Sequence, residues 1–350
     1  MARILIVAPS WVGDAVLTQP LLARLKQHDP HAVIDILAPA WTLPAFGRMP
    51  EVADTLANPF GHGVLKLSAR RTLALQLRER QYVQAIILPN SLKSALIPLL
   101  AGIPQRTGYI GEARWGLLND ARRLDTKALP LMVERFAALA EPRGAPFPRP
   151  LPAPRLTIDA AARTRTLAAL GLDSTRPAAV FAPGAEYGPA KRWPPAHFAA
   201  LARALAPTHA IWLIGSAKDA PEAEAIERAA PGLTVNLCGR TDLAQAIDVI
   251  ASASLAVTND SGLMHIAAAC DVPLVAVFGS SSPRFTPPLS SRARVAQLPL
   301  PCSPCFERVC PLGHMDCLNK LMPEQVLAEI SALSKGRMSR RDAEDAEKAD

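Results

Sequence analysis

The sequence predicts two α/β domains, each a doubly wound parallel sheet covered by helices. Three observations carry this prediction. Short apolar runs alternate with helical patterns along the chain, the signature of parallel strands joined by crossover helices. The runs fall into two series. Between them, residues 141–155 ("EPRGAPFPRPLPAPR") hold six prolines in fifteen residues, a density that admits no regular element and reads as an extended, semi-rigid linker.

In chain order, strands are expected at 3–8 ("RILIVA"), 33–38 ("VIDILA") and 84–89 ("QAIILP"). Helical patterns lie near 15–27, 68–80 and 91–101. The second series begins at 178–183 ("AAVFAP") and continues at 210–215 ("AIWLIG"), 255–260 ("LAVTND") and 273–279 ("PLVAVFG"). The expected division is an N-terminal domain over 1–150, a C-terminal domain over 151–333 and a charged tail over 334–350 with no apolar face, which composition marks as disordered. In such sheets ligands bind beyond the carboxyl ends of the strands, so a cleft between the domains is the expected working site.

Bulk properties narrow the function. The chain has 350 residues, 49% of them hydrophobic and 5% aromatic, enough for two substantial aliphatic cores. No uncharged apolar stretch approaches the roughly 20 residues of a membrane-spanning helix. The opening "MARILIVAP" is a first strand rather than a secretory signal, so a cytoplasmic location is expected. Residues 1–155 carry 19 Lys and Arg against 11 Asp and Glu, a balance of +8, and the remainder carries 19 against 20. Either the N-terminal half has a solvated basic surface, or it meets an anionic partner.

Three segments stand at predicted strand ends. In "APSWVGDAVLTQP" (8–20), Asp14 enters a helix, where it either caps backbone N–H groups or serves as a general base. Trp11 just before it belongs to the core or to an acceptor site. There is no G-x-G-x-x-G, which argues against a dinucleotide site and a dehydrogenase. In "PGAEYGPAKRWP" (183–194), Gly184 and Gly188 allow close approach of a ligand, and Glu186 and Tyr187 follow the strand end. Lys191 and Arg192 lack an acidic partner nearby in sequence and suit a diphosphate, unless they are merely solvated loop charges. In "TNDSGLMHIAAA" (258–269), Ser261 and Gly262 open a helix whose free N–H groups can seat phosphate. Asp260 should then turn away from phosphate toward sugar hydroxyls. His265 reads as a ligand neighbour or a satisfied, partly buried histidine.

Together with "LPNSLKSAL", "GSSSPRFTPPLS" and "PCSPCFERVCPLGH", these segments resemble the ADP-heptose:lipopolysaccharide heptosyltransferases of glycosyltransferase family 9, over residues 1 to about 333. The resemblance implies the GT-B fold, two Rossmann-like domains facing a cleft, and inverting transfer without a metal or cofactor. It implies transfer of L-glycero-D-manno-heptose from ADP-heptose to the first heptose of the inner core, on heptosyl-Kdo2-lipid A, with no nucleic acid partner. Acceptor would bind the N-terminal domain and donor the C-terminal one. By motif, Asp14 is implied as general base, Lys191 as diphosphate ligand and Asp260 as the donor-heptose contact. The Ser261 and Gly262 amides are implied as the diphosphate seat, with His265 in support. Glu186 and Tyr187 stand where related enzymes carry small hydroxyl residues, beside the donor. Lys93, Arg106 and Trp11 are expected acceptor contacts. The basic half and the lipid-linked acceptor point to peripheral contact with the inner membrane.

Four of the six cysteines, Cys302, Cys305, Cys310 and Cys317, surround His314 in a spacing zinc sites also use. The spacing is not a clean paired C-x-x-C, since only Cys302 and Cys305 stand so, and the expectation is reduced packing cysteines without metal. Cys238 and Cys270 are expected in the core. Two other readings remain open at this level: a sister enzyme with a different core acceptor, and a non-catalytic nucleotide-sugar-binding protein.

Overall fold

Apolar runs too short for helices, separated by helical segments, have only one way to bury themselves: side by side in a parallel sheet with helices on its faces. The computed structural model, which describes residues 1–61 and 65–333, does this twice. The chain divides into one unit over Met1–Thr157 and a second from Ile158 onward.

The first unit holds β1 (Arg3–Val7), β2 (Val33–Ala38), β3 (Val52–Ala57), β4 (Gln84–Ile87), β5 (Gln105–Tyr109) and β6 (Asp120–Arg122), ordered β3-β2-β1-β4-β5-β6. The second holds β7 (Ala178–Ala182), β8 (Ala210–Leu213), β9 (Thr234–Asn236), β10 (Leu255–Asn259), β11 (Leu274–Phe278) and β12 (Ala293–Gln297), ordered β12-β11-β10-β7-β8-β9. All strand pairs are parallel. Counted from the first strand of each unit, the two orders are the same Rossmann order. Each therefore reverses direction once, between β1 and β4 in one unit and between β7 and β10 in the other, and the crevice at that reversal is where such sheets bind ligands.

The fully buried runs were the legible strands. The others, β3, β5, β6, β9 and β12, are short or polar and lie at or next to sheet edges, where half-burial leaves little apolar signal. The helix expected over 15–27 is two helices, Val12–Leu17 and Gln19–His28. Pro20 has no N–H to donate into a continuous helix. Thr18 Oγ1 instead donates to the Asp14 carbonyl at 2.8 Å.

The proline-rich strip is packed back onto the first unit rather than spanning freely. Arg149 pairs with Glu134 at 2.8 Å, Arg24 donates to the Pro148 carbonyl, and the Thr157 amide bonds the Arg48 carbonyl. This moves the division to 157/158. The second core is centred on Trp193, whose ring meets Phe198 edge-on at 4.9 Å and whose Nε1 donates to the Leu321 carbonyl. Among the described residues no helix is long and apolar enough to cross a membrane. The tail expected to be disordered, 334–350, lies outside the described residues.

Candidate active site

In the second unit the loops after β7 and β10 meet at the strand-order reversal, and one buried side chain ties them. Asn259, the last residue of β10, accepts from the Trp193 amide at 3.0 Å and donates to the Pro183 carbonyl at 2.6 Å. The loop 183–193 is thereby held over the end of the sheet, with Lys191 closing a short 3-10 turn, Pro189–Lys191.

Lys191 Nζ lies 2.5 Å from Asp260 Oδ2, and Ser281 Oγ donates to the same oxygen. Asp260 and Ser281 are buried and Lys191 is mostly buried, and both contacts fall on the same carboxylate oxygen. The ammonium also sits 4.9 Å from the Tyr187 ring centre, with the Arg308 guanidinium near the same ring. Tyr187 OH donates to the Phe306 carbonyl. Lys191 and Arg192, with no acidic partner nearby in sequence, are not solvated loop charges: Arg192 pairs with Glu222, and both acids come from distant segments. Glu186 points outward to Lys218, an exposed pair.

Ser261 begins the helix Gly262–Ala269 without a side-chain capping bond. Its hydroxyl and that of Ser280 are buried with no partner among the described residues. Such groups cost stability unless something pairs them. His265, in the first turn, is fully buried, and burial lowers its pKa to about 4, opposed by Asp260 and assisted by Lys191. It is therefore a neutral imidazole beside the Lys191–Asp260 pair.

Two glycines serve a purpose other than the expected ligand approach. A Cβ at Gly184 would lie 2.1 Å from the Asp219 carboxyl carbon, and one at Gly188 would lie 2.4 Å from the Arg308 carbonyl oxygen. They admit the protein's own backing segments. Asp219 in turn accepts from the Ser216 amide and hydroxyl. Sequence reasoning missed Asn259, Ser281 and Glu222, each of which acts through a partner 21 to 76 residues away. Glu222 keeps its second carboxylate oxygen buried and unpartnered.

In the first unit, Asp14 is the third residue of the helix Val12–Leu17, half-buried, at the loop after β1. The N-cap position belongs to Trp11, which makes no side-chain capping bond and is 45% exposed, so it is not core. Lys93 lies in the first turn of the helix Leu92–Leu100, after β4. Asp14 and Lys93 therefore flank the reversal of the first sheet. Arg106 does not join them. It sits at the opposite, amino end of β5, where its guanidinium donates to the carbonyls of Leu117 and Ile103, both at 2.7 Å. Much of the basic surplus is spent in this internal way: Arg114 ties Pro89, Asn90 and Tyr109, and Arg3 and Arg80 pair with buried Asp35.

All six cysteines are free thiols. Among the described residues no group of three or more His, Cys, Asp or Glu is placed to hold a metal ion. Cys238 is buried, with its thiol pushed up to about 12 by burial and by Asp219. Cys270 is half-buried rather than core and Cys302 is exposed rather than packed, which corrects those two expectations, whereas the half-buried Cys317 packs against the second core.

The sequence profile described as glycosyltransferase family 9 (heptosyltransferase) matches residues 70–316. Lipopolysaccharide heptosyltransferase 2 of Escherichia coli K12 is 46% identical, covering 95% of this chain and 98% of that protein. Lipooligosaccharide heptosyltransferase 2 of Haemophilus influenzae Rd is 47% identical over 85% of this chain and 88% of that one. The solved structure of E. coli ADP-heptose LPS heptosyltransferase II superposes with a TM-score of 0.86 at 44% identity, covering 97% of this chain and all of that one.

Proposed function

The chain belongs to glycosyltransferase family 9, the heptosyltransferases, and on that premise we propose that it transfers L-glycero-D-manno-heptose from ADP-heptose to the first heptose of heptosyl-Kdo2-lipid A. It is a heptosyltransferase of lipopolysaccharide core assembly with a GT-B fold. The observation that carries the donor assignment is the Lys191–Asp260–Ser281 cluster at the reversal of the second sheet. A cation, a sugar-facing carboxylate and a helix start are what a nucleoside diphosphate sugar needs at one place.

In this reading the ADP diphosphate takes Lys191 from Asp260. The ammonium and the amides at the start of Gly262–Ala269 then offset the charge that grows on departing ADP, in place of a metal ion. Asp260, still held by Ser281, is freed to accept hydrogen bonds from heptose hydroxyls. The unpartnered hydroxyls of Ser261 and Ser280 gain partners at the same step. His265 stays neutral and adds no charge that would compete with Lys191 for the diphosphate. Asp14 takes the proton of the attacking acceptor hydroxyl as the anomeric carbon acquires oxocarbenium character, and attack opposite the leaving ADP inverts that centre. Lys93 meets an acceptor anion. The lipid-linked acceptor places the work at the cytoplasmic face of the inner membrane.

The test is ADP release from ADP-heptose with heptosyl-Kdo2-lipid A and with heptose-free Kdo2-lipid A. Turnover on the first alone is the expected result. Equal turnover on the second would reassign the acceptor, and turnover on neither would leave only a binding protein.

A further inference from the structure

The cysteine-rich stretch after β12 takes no part in the chemistry described above, yet its backbone is stitched to the loops that do. The Tyr187 hydroxyl donates to the Phe306 carbonyl at 2.5 Å, and the Phe306 amide donates to the Ser280 carbonyl at 2.6 Å. The Ala190 amide donates to the Arg308 carbonyl at 3.1 Å, and Gly188 lacks the Cβ that this carbonyl would meet. Residues 306–308 are therefore bonded both to the loop that carries Lys191 and to the loop that carries Ser281. Those two loops, with Asp260, make the donor cluster.

This backbone fixes where the Arg308 side chain begins, and one ring fixes where it ends. Its guanidinium carbon is 5.1 Å from the Tyr187 ring centre, and Lys191 Nζ is 4.9 Å from the same centre. The ring attracts each cation singly, but two cations gathered at one ring repel each other. Lys191 has Asp260 to answer it and Arg192 has Glu222, whereas among the described residues no carboxylate makes an ion pair with Arg308. His265 beside the cluster is neutral. Lys191, Arg308 and Asp260 together leave a surplus positive charge at the Tyr187 ring. Arg308 is also exposed, so its N–H donors are open to an anion.

We propose that Arg308 is a second cation of the donor site and binds the β-phosphate of the nucleoside diphosphate beside Lys191. The inference rests on the donor reading above and deepens it. Because Lys191 stands on the carboxylate that reading turns toward the sugar, the shared ring marks the sugar end of the diphosphate, which is its β-phosphate. The two cations then divide the work: the Lys191 ammonium is a mobile point charge released from Asp260, and the Arg308 guanidinium offers a planar fork to phosphate oxygens. A bound diphosphate removes the repulsion between them. When the bond from the sugar to the β-phosphate oxygen breaks, the charge left on that phosphate meets both cations.

The experiment is calorimetric titration of the full chain with ADP and with AMP, which lacks the β-phosphate. Arg308→Ala should weaken ADP binding about tenfold and leave AMP binding as it is in the wild type. Arg308→Lys should recover part of the loss, since the charge stays and the fork goes. Thermal melting of ligand-free Arg308→Ala should match the wild type, because the bonds that hold residues 306–308 run through main-chain atoms that alanine keeps. Unchanged ADP binding in Arg308→Ala would overturn the assignment, and so would equal weakening of ADP and AMP, the mark of a structural role. Wild-type binding of ADP with no loss in Arg308→Ala sinks Arg308 alone. A wild type that binds neither nucleotide sinks the donor reading and Arg308 with it.

Discussion

The two units share one strand order and one ligand-binding position, yet they treat the same residue types in opposite ways. All three tryptophans of the first unit are exposed, whereas Trp193 and Trp212 of the second are almost completely buried. At the reversal of the first sheet, Asp14 and Lys93 stand half-exposed on loop and helix starts. At the reversal of the second, Lys191, Asp260, Ser281, Asn259 and His265 form one wired, largely buried cluster. The first unit balances to +8 and the remainder to −1. The lesson is that the Rossmann order supplies a place, and side-chain chemistry decides what that place does. A small, charged diphosphate is best gripped by a desolvated cluster. The half-exposed edge of the first sheet leaves room for a larger ligand.

The sharpest way to break this contrast is Asp14→Asn. Turnover should fall by about 10²–10⁴-fold, while calorimetric ADP binding, which the proposal gives to the second unit, stays unchanged. Weakened ADP binding would mean that the two units do not divide the work as described. Next in size is a pair of tryptophans. Trp193→Ala removes a ring packed on Phe198 and a buried N–H bond, and should cost about 3–5 kcal/mol in denaturant unfolding. Trp41→Ala, exposed and holding one bond to the Ser10 carbonyl, should cost below about 1 kcal/mol. Similar losses would show the first unit's tryptophans to be structural after all.

Lys191→Ala should lower kcat/KM by about 10²–10³-fold through the donor, with acceptor affinity retained. A smaller effect comes from His265. Its pKa falls from 6.5 in an unfolded chain to about 4 in the fold, so it stays neutral where the unfolded chain binds a proton. Stability is therefore full above pH 6.5 and declines as pH drops toward 4, by up to roughly 1.4 kcal/mol per pH unit. His265→Asn should flatten that slope in melts at pH 7 and pH 5, and an unchanged slope would assign it to other groups. Smallest of all, Glu186→Ala breaks an exposed pair with Lys218 and should shift stability by less than about 0.5 kcal/mol.

Much of the second unit's candidate site was legible because its residues cluster at predicted strand ends: Lys191, Asp260, Ser261 and His265 all stand where the sheet reverses. What pairs with them was not legible. Ser281 reads as one serine in a polar loop, and Asn259 as a strand terminus, until folding brings β11 and the loop after β7 alongside. Arg106 shows the converse error, since a cation in a basic half looks like an anion contact until its strand position puts it at the wrong end of the sheet. Gly184 and Gly188 were read as room for a ligand when they are room for Asp219 and Arg308. Edge strands such as β3 and β12 escaped because half-burial erases the apolar run.

The sequence by itself determined the two parallel sheets, the strand ends where the candidate site residues stand and the asymmetry of charge, because apolar periodicity, loop position and composition are local properties of a chain. Only the tertiary structure decided which charges are spent and which remain to act. Lys191 meets Asp260 across 69 residues, Arg192 meets Glu222 across 30, and Arg106 turns back on its own loop. Partners so far apart in sequence are chosen by which strands lie adjacent, and burial then sets how strongly they interact.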